Sequence, residues 1–163
     1  MNNLIKKTSL IIAAIFLMSN SSCQKEGFSL KGETDYIIFG SSFGMCVGDC
    51  AITYLLKSDG LYKSKDYLKT GNINTFTEKL SNEKFQQLKN ISSSIPSELV
   101  NYKKDTETFG CPDCADQGGY YLELIREGKK HKIFRIDTRT DPLPDYVKKA
   151  AEEIRKAIEM AKN

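Results

Sequence analysis

The sequence predicts an α+β domain: a mostly antiparallel sheet in the order β-β-β-α-β-β-α, with two helices on one face. Three observations carry this expectation. Short β-branched and aromatic runs are separated by tight-turn residues. Two later segments repeat apolar residues at three- and four-residue spacing. The strands come as hairpins and do not alternate one for one with helices.

Tyr36-Ile37-Ile38-Phe39 is the first expected strand. Gly40 to Cys50 is rich in glycine and serine and reads as a loop. From Ala51 to Lys57 the chain alternates, with Ile52, Tyr54 and Leu56 on one face. Ser58-Asp59-Gly60 is a hairpin turn, since Asp-Gly supplies positive φ angles, and Leu61 to Leu68 is the return strand. Ser81 is an N-cap, with Leu80 and Phe85 placed as a hydrophobic staple. Phe85, Leu88 and Ile91 form that helix's stripe, and Ile95-Pro96 ends it. Asn101 to Asp116 is polar and is expected to be irregular. Tyr120 to Ile125 and Lys132 to Asp137 are two further strands, turning at Glu127-Gly128. Pro144 opens a last helix, whose stripe is Val147, Ala150, Ala151, Ile154, Ala157, Ile158 and Ala161.

The first residues have a different logic. Lys6 and Lys7 precede the apolar run Leu10 to Met18, and Ser19-Asn20-Ser21-Ser22 then leads to Cys23. A charged start, a short apolar middle and a small polar end are the parts of a secretory signal. The run is far below the roughly 20 residues that a membrane-spanning helix needs. The stretch resembles the lipobox of bacterial lipoproteins, in which the cysteine thiol receives a diacylglyceryl group and its freed amine is acylated. Asn20 stands where a small or apolar residue is usual. The resemblance implies a signal peptide over residues 1–22 and lipidation at Cys23. Residues 23–35, polar with Gly27 and Gly32, read as a flexible tether, and the length fits a single domain over 36–163. No Asp follows Cys23, and Lys25-Glu26 resembles part of a surface-export signal. The expected location is therefore the cell envelope, anchored by acyl chains in the outer membrane, on its periplasmic or surface face.

Charge narrows the partners. The 163-residue chain has 24 basic and 21 acidic residues. Loss of Lys6 and Lys7 leaves 22 basic residues against the same 21 acids, so the mature chain is near neutral. A near-neutral domain lacks the footprint of a nucleic-acid binder. The expected partners are the membrane, reached through the lipid, and a protein of unknown identity, with no nucleic acid, small-molecule substrate or cofactor.

Beyond Cys23 the cysteines form two pairs, Cys46-x3-Cys50 and Cys111-x2-Cys114. An exported protein is not held reduced, so disulfides are the leading reading. Four cysteines allow three pairings. The short spacings favour local bridges, although crossed bridges would close longer loops and stabilise more. A zinc site of four thiolates is a second reading. A redox dithiol is a third, because Cys111-Pro112-Asp113-Cys114 looks like a thioredoxin motif; a strand follows it here where that family has a helix.

Other chemistry has little support. Asp49, Asp113 and Asp116 lack the spacing of a calcium loop. His131 is the only histidine and stands among lysines, a poor setting for acid–base catalysis. No glycine-rich phosphate loop precedes a helix.

Gly44-Met45-Cys46-Val47-Gly48-Asp49-Cys50, followed by a strand and Asp59-Gly60, resembles a family of small bacterial lipoprotein domains of unknown function. Ala51 replaces a Pro common in that family. More distantly, the element order with a Pro-led last helix is similar to emfourin-type metalloprotease inhibitors. These readings together predict a non-enzymatic interaction domain. A protease-inhibitor-like module and a thiol–disulfide redox protein using Cys111 and Cys114 are the alternatives.

Overall fold

The computed structural model describes residues 27–44, 47, 50–64, 73–112, 114–126 and 131–163. The expectations for the leader, Cys23, Cys46, Asp49, Asp113 and the Glu127-Gly128 turn lie outside these residues.

The domain is α+β, with a mostly antiparallel sheet. Its strands are β1 (Tyr36–Ser42), β2 (Ala51–Lys57), β3 (Gly60–Lys63), β4 (Glu78–Lys79), β5 (Thr106–Phe109), β6 (Gly119–Ile125) and β7 (Lys132–Asp137). The helices are α1 (Asn82–Leu88), α2 (Ile91–Ser94), α3 (Ser97–Val100) and α4 (Asp145–Lys162). The sheet order is β4-β3-β2-β1-β6-β7-β5. β5 lies parallel to β7, and the other pairings are antiparallel.

β1 is the central strand, paired along its whole length with β2 on one side and β6 on the other. Alternation sorts its side chains. Ile37 and Phe39 join Tyr54, Leu56, Leu122, Leu124, Phe134 and Ile136 in a core shared with the helices. Ile38 faces the other way and packs with Leu55, Phe76 and Tyr121. All seven residues of the α4 stripe are buried. Four of them are alanines, whose small side chains let the helix backbone lie close to the sheet.

Ser81 caps α1 as expected, its Oγ accepting the Lys84 N–H at 3.4 Å. Four expectations need correction. The single helix after Ser81 is two, α1 and α2, broken at Lys89-Asn90; it ends before Pro96 as expected, and a further short helix, α3, follows the proline. The order gains two strands, β4 and β5, and β5 lies inside the stretch read as irregular. Gly60 is the first residue of β3, opposite Lys57, and no residue of the Ser58-Asp59 turn takes a positive φ. The segment read as a tether packs onto the domain from Gly27 onwards. Phe28 is 3% exposed and belongs to the main core, and the Asp35 carboxylate accepts the N–H groups of Lys31 and Gly32 at 3.0 and 2.9 Å.

Candidate functional site

The register of β1 divides the sheet into two ends. Ser42 lies opposite Ala51 and Gly119, and Gly119 lies opposite Asp137. Both cysteine-bearing connections therefore leave the sheet at this Ser42 end. One joins β1 to β2, and the other joins β5 to β6.

The second connection is held in place residue by residue. Gly110 turns the chain out of β5 with φ +76°. Cys111 and Cys114 form a disulfide with their Cα atoms 5.5 Å apart. The Cys114 N–H donates to the Cys111 carbonyl at 3.2 Å. Asp137, 5% exposed, clamps the loop from β7. Its Oδ2 accepts the Cys111 N–H at 2.9 Å, and its Oδ1 accepts the Arg139 N–H at 2.8 Å and the Gln117 amide at 3.3 Å. Gln117 also donates to the Cys111 carbonyl at 3.1 Å and accepts the Ala115 N–H at 2.9 Å. Burial pushes the Asp137 carboxyl up, but the N–H groups of Arg139 and Cys111 and the Gln117 amide outweigh it and hold it below its ordinary value.

The first connection meets the second through Phe43. Its N–H donates to the Cys50 carbonyl at 2.8 Å. Its ring lies against Gly118, where φ is +75° and an added Cβ would come within 2.3 Å of the ring. Phe43 is nevertheless 41% exposed, and Val47, in the same connection, is fully exposed. A groove of 430 Å³ opens beside Phe43, lined by Phe43, Cys50, Ile52, Lys63 and Lys162 among others.

The sequence-derived site residues thus gather in part. Cys111 is bonded to Cys114, as the local-pair expectation had it, so bridges crossing between these two and the other pair are excluded. Cys50 is also disulfide-bonded. Its expected partner Cys46, and the lipidation residue Cys23, lie outside the described residues. A zinc site of four thiolates would need these sulfurs free. For redox chemistry the surroundings are unfavourable. β6, not a helix, follows the loop. Asp137 puts a carboxylate beside Cys111, which disfavours a thiolate there.

A second constellation lies on the other face of the sheet, towards the opposite end. Glu123 on β6 is fully buried. The Tyr121 hydroxyl donates to its Oε2, and His131 Nε2 lies 2.5 Å from its Oε1. His131 keeps 36% of its side chain exposed. Burial, reinforced by Glu123, pushes the phenols of Tyr36 and Tyr121 up. Sequence reasoning missed Glu123 because it occupies a regular outward position of an alternating strand. One signal was present: the sole histidine follows it across a hairpin. Glu123 lies opposite Ile133, which puts His131 diagonally across on the same face. The buried polar atoms of the group are satisfied, so its arrangement is that of a structural lock.

Among the described residues no three His, Cys, Asp or Glu side chains come together in a way that could hold a metal ion. No helix among them is long and apolar enough to cross a membrane. Comparison with protein-family models, with curated proteins and with solved structures gave no match.

Proposed function

We propose that this protein is a lipid-anchored, non-enzymatic binding domain of the bacterial envelope, and that it engages a protein partner through the Ser42 end of its sheet. The observation that carries the reading is Phe43. A large apolar ring sits 41% exposed between two cysteine loops, and Val47, in the β1–β2 connection, is fully exposed. Exposed apolar side chains on a braced scaffold suit a protein surface, because little order must be gained on binding. The Asp137 clamp, the Cys111–Cys114 bridge and the Phe43–Cys50 hydrogen bond supply that bracing. The lipid anchor is supported by the Lys6 to Cys23 pattern of the sequence. The lipoprotein-domain family that the Cys46–Cys50 loop resembles fits the same reading.

A thiol–disulfide redox protein is the second reading, favoured by the exposure of both Cys111 and Cys114. Insulin reduction by the purified protein separates the two, and the binding-domain reading expects none.

The binding surface is tested by photocrosslinking in cells. A photoreactive residue is placed at Phe43 or, as a control, at Lys79 on β4. A discrete protein adduct at position 43 that is absent at 79 is the expected result. The same adducts at both positions would overturn the assignment of the surface.

A further inference from the structure

The start of the domain bears on how it sits in the envelope. Gly27 is packed so tightly that a Cβ there would lie 2.4 Å from the Ser93 carbonyl oxygen. Phe28 follows directly into the core, with the Arg126 guanidinium 4.8 Å from its ring centre. We propose that the corner around Gly27 rests on the headgroups of the bilayer that holds the Cys23 acyl chains, so that the cysteine loops point away from the membrane. This rests on the lipoprotein reading above.

The first argument is chain length. Only four residue steps separate Cys23 from Gly27. At full extension they span no more than about 14 Å, from roughly 3.6 Å per residue. An acylated Cys23 must lie at the membrane interface, so Gly27 is confined to the headgroup layer or just above it. The rest of the domain has no slack with which to stand clear.

The second argument is chemistry. The surface around Gly27 carries exposed Lys31 and Lys149, and the half-buried Arg126. Beside it lies a shallow groove of 620 Å³ formed by Tyr102, Tyr146 and Lys103, among others. Cationic side chains and tyrosines suit a layer of phosphate headgroups over hydrocarbon. Glu98 and Asp145 also stand in this corner, and Asp145 is 3.4 Å from Lys148.

β1 completes the orientation. The Asp35 turn feeds the chain from this corner straight into Tyr36. The seven residues of β1 then carry it about 20 Å, at roughly 3.3 Å per residue, to the Ser42 end.

The test uses the full-length protein, processed in a bacterial envelope and reconstituted into vesicles of phosphatidylethanolamine and phosphatidylglycerol. A membrane-impermeant amine reagent labels its lysines, and mass spectrometry maps them. A second protein carries a long Gly/Ser insert between Gln24 and Lys25. In the native protein, labelling of Lys31, Lys103 and Lys149 is expected several-fold below that in the insert variant, with Lys63 and Lys162 unchanged between the two. Equal labelling of the first three in both proteins would overturn the orientation and leave the anchor standing. An N-terminal peptide without acyl chains would overturn the anchor itself, and the orientation with it.

Discussion

Asp137 holds Cys111 across 26 residues of sequence, its Oδ2 accepting the Cys111 N–H at 2.9 Å. The disulfide loop is thus fixed to the sheet by a side chain of β7 as well as by its own bridge. Its position depends on that carboxylate keeping its charge and its N–H donors.

Asp137→Ala removes an ionised acceptor of three hydrogen bonds and is expected to cost about 2 to 3 kcal/mol. The pH dependence has a definite sign. The carboxyl is held below its ordinary value of 3.8, so its contribution is complete above that pH and is lost as the pH falls below it. Urea midpoints measured from neutral pH down through this range should fall more steeply for the native protein than for Asp137→Asn.

Glu123 and His131 form the buried lock. His131→Ala leaves Glu123 with one hydrogen-bond partner fewer and is expected to destabilise by about 2 kcal/mol. In a double-mutant cycle with Glu123→Gln the two residues should couple by about 1 to 2 kcal/mol. Additive losses in urea denaturation would show that the pair does not act together.

The tyrosines set the alkaline limit. Burial, assisted by Glu78, pushes Tyr54 up to about 12 from 10.0, and Tyr36 and Tyr121 are raised as well. A raised phenol contributes stability that is complete below pH 10.0 and is lost as the pH climbs towards the folded-state value. Phenolate absorbance should therefore rise in two stages, the second coinciding with loss of the far-ultraviolet dichroism.

Gly118 sits at φ +75°, with Phe43 and the Ser42 carbonyl against it. Gly118→Ala is expected to cost more than about 1 kcal/mol, through both backbone strain and contact with the ring. It should also displace Phe43 and abolish the position-43 crosslink while leaving the fold intact by circular dichroism.

Phe28→Ala empties a core position and is expected to cost about 3 to 4 kcal/mol. Arg126→Ala, which removes only the cation over the ring, should cost about 0.5 to 1 kcal/mol. Limited proteolysis should cut ahead of β1 in the first variant and spare the second.

Particular residues show how far the sequence carried the fold. β1, β2, β6 and β7 were legible because Ile37, Phe39, Tyr54, Leu56, Leu122 and Phe134 repeat at the two-residue period of a buried face. The α4 stripe was legible to the residue, since a long helix over a sheet imposes its own period. β5 was not. Thr106-Glu107-Thr108 is polar because it lies at the sheet edge, and its partner β7 is far along the chain. Phe28 and Leu30 are isolated apolar residues in a polar run, and the burial of Phe28 depends on contacts that no local pattern encodes. The cysteine spacing announced the Cys111–Cys114 bridge, but neither Asp137 nor the Phe43 seat left a motif, because each depends on strand register.

Because β1 is paired antiparallel on both flanks along all seven residues, it also determines how the molecule bears load. Tension on the chain ahead of Gly27 passes through the Asp35 turn and along the axis of this middle strand. To extract it, the hydrogen bonds on both flanks must be sheared together, whereas a strand peeled from an edge gives them up one at a time. Under the proposed anchoring, a domain hung by that strand would resist being pulled apart by a load at its far end.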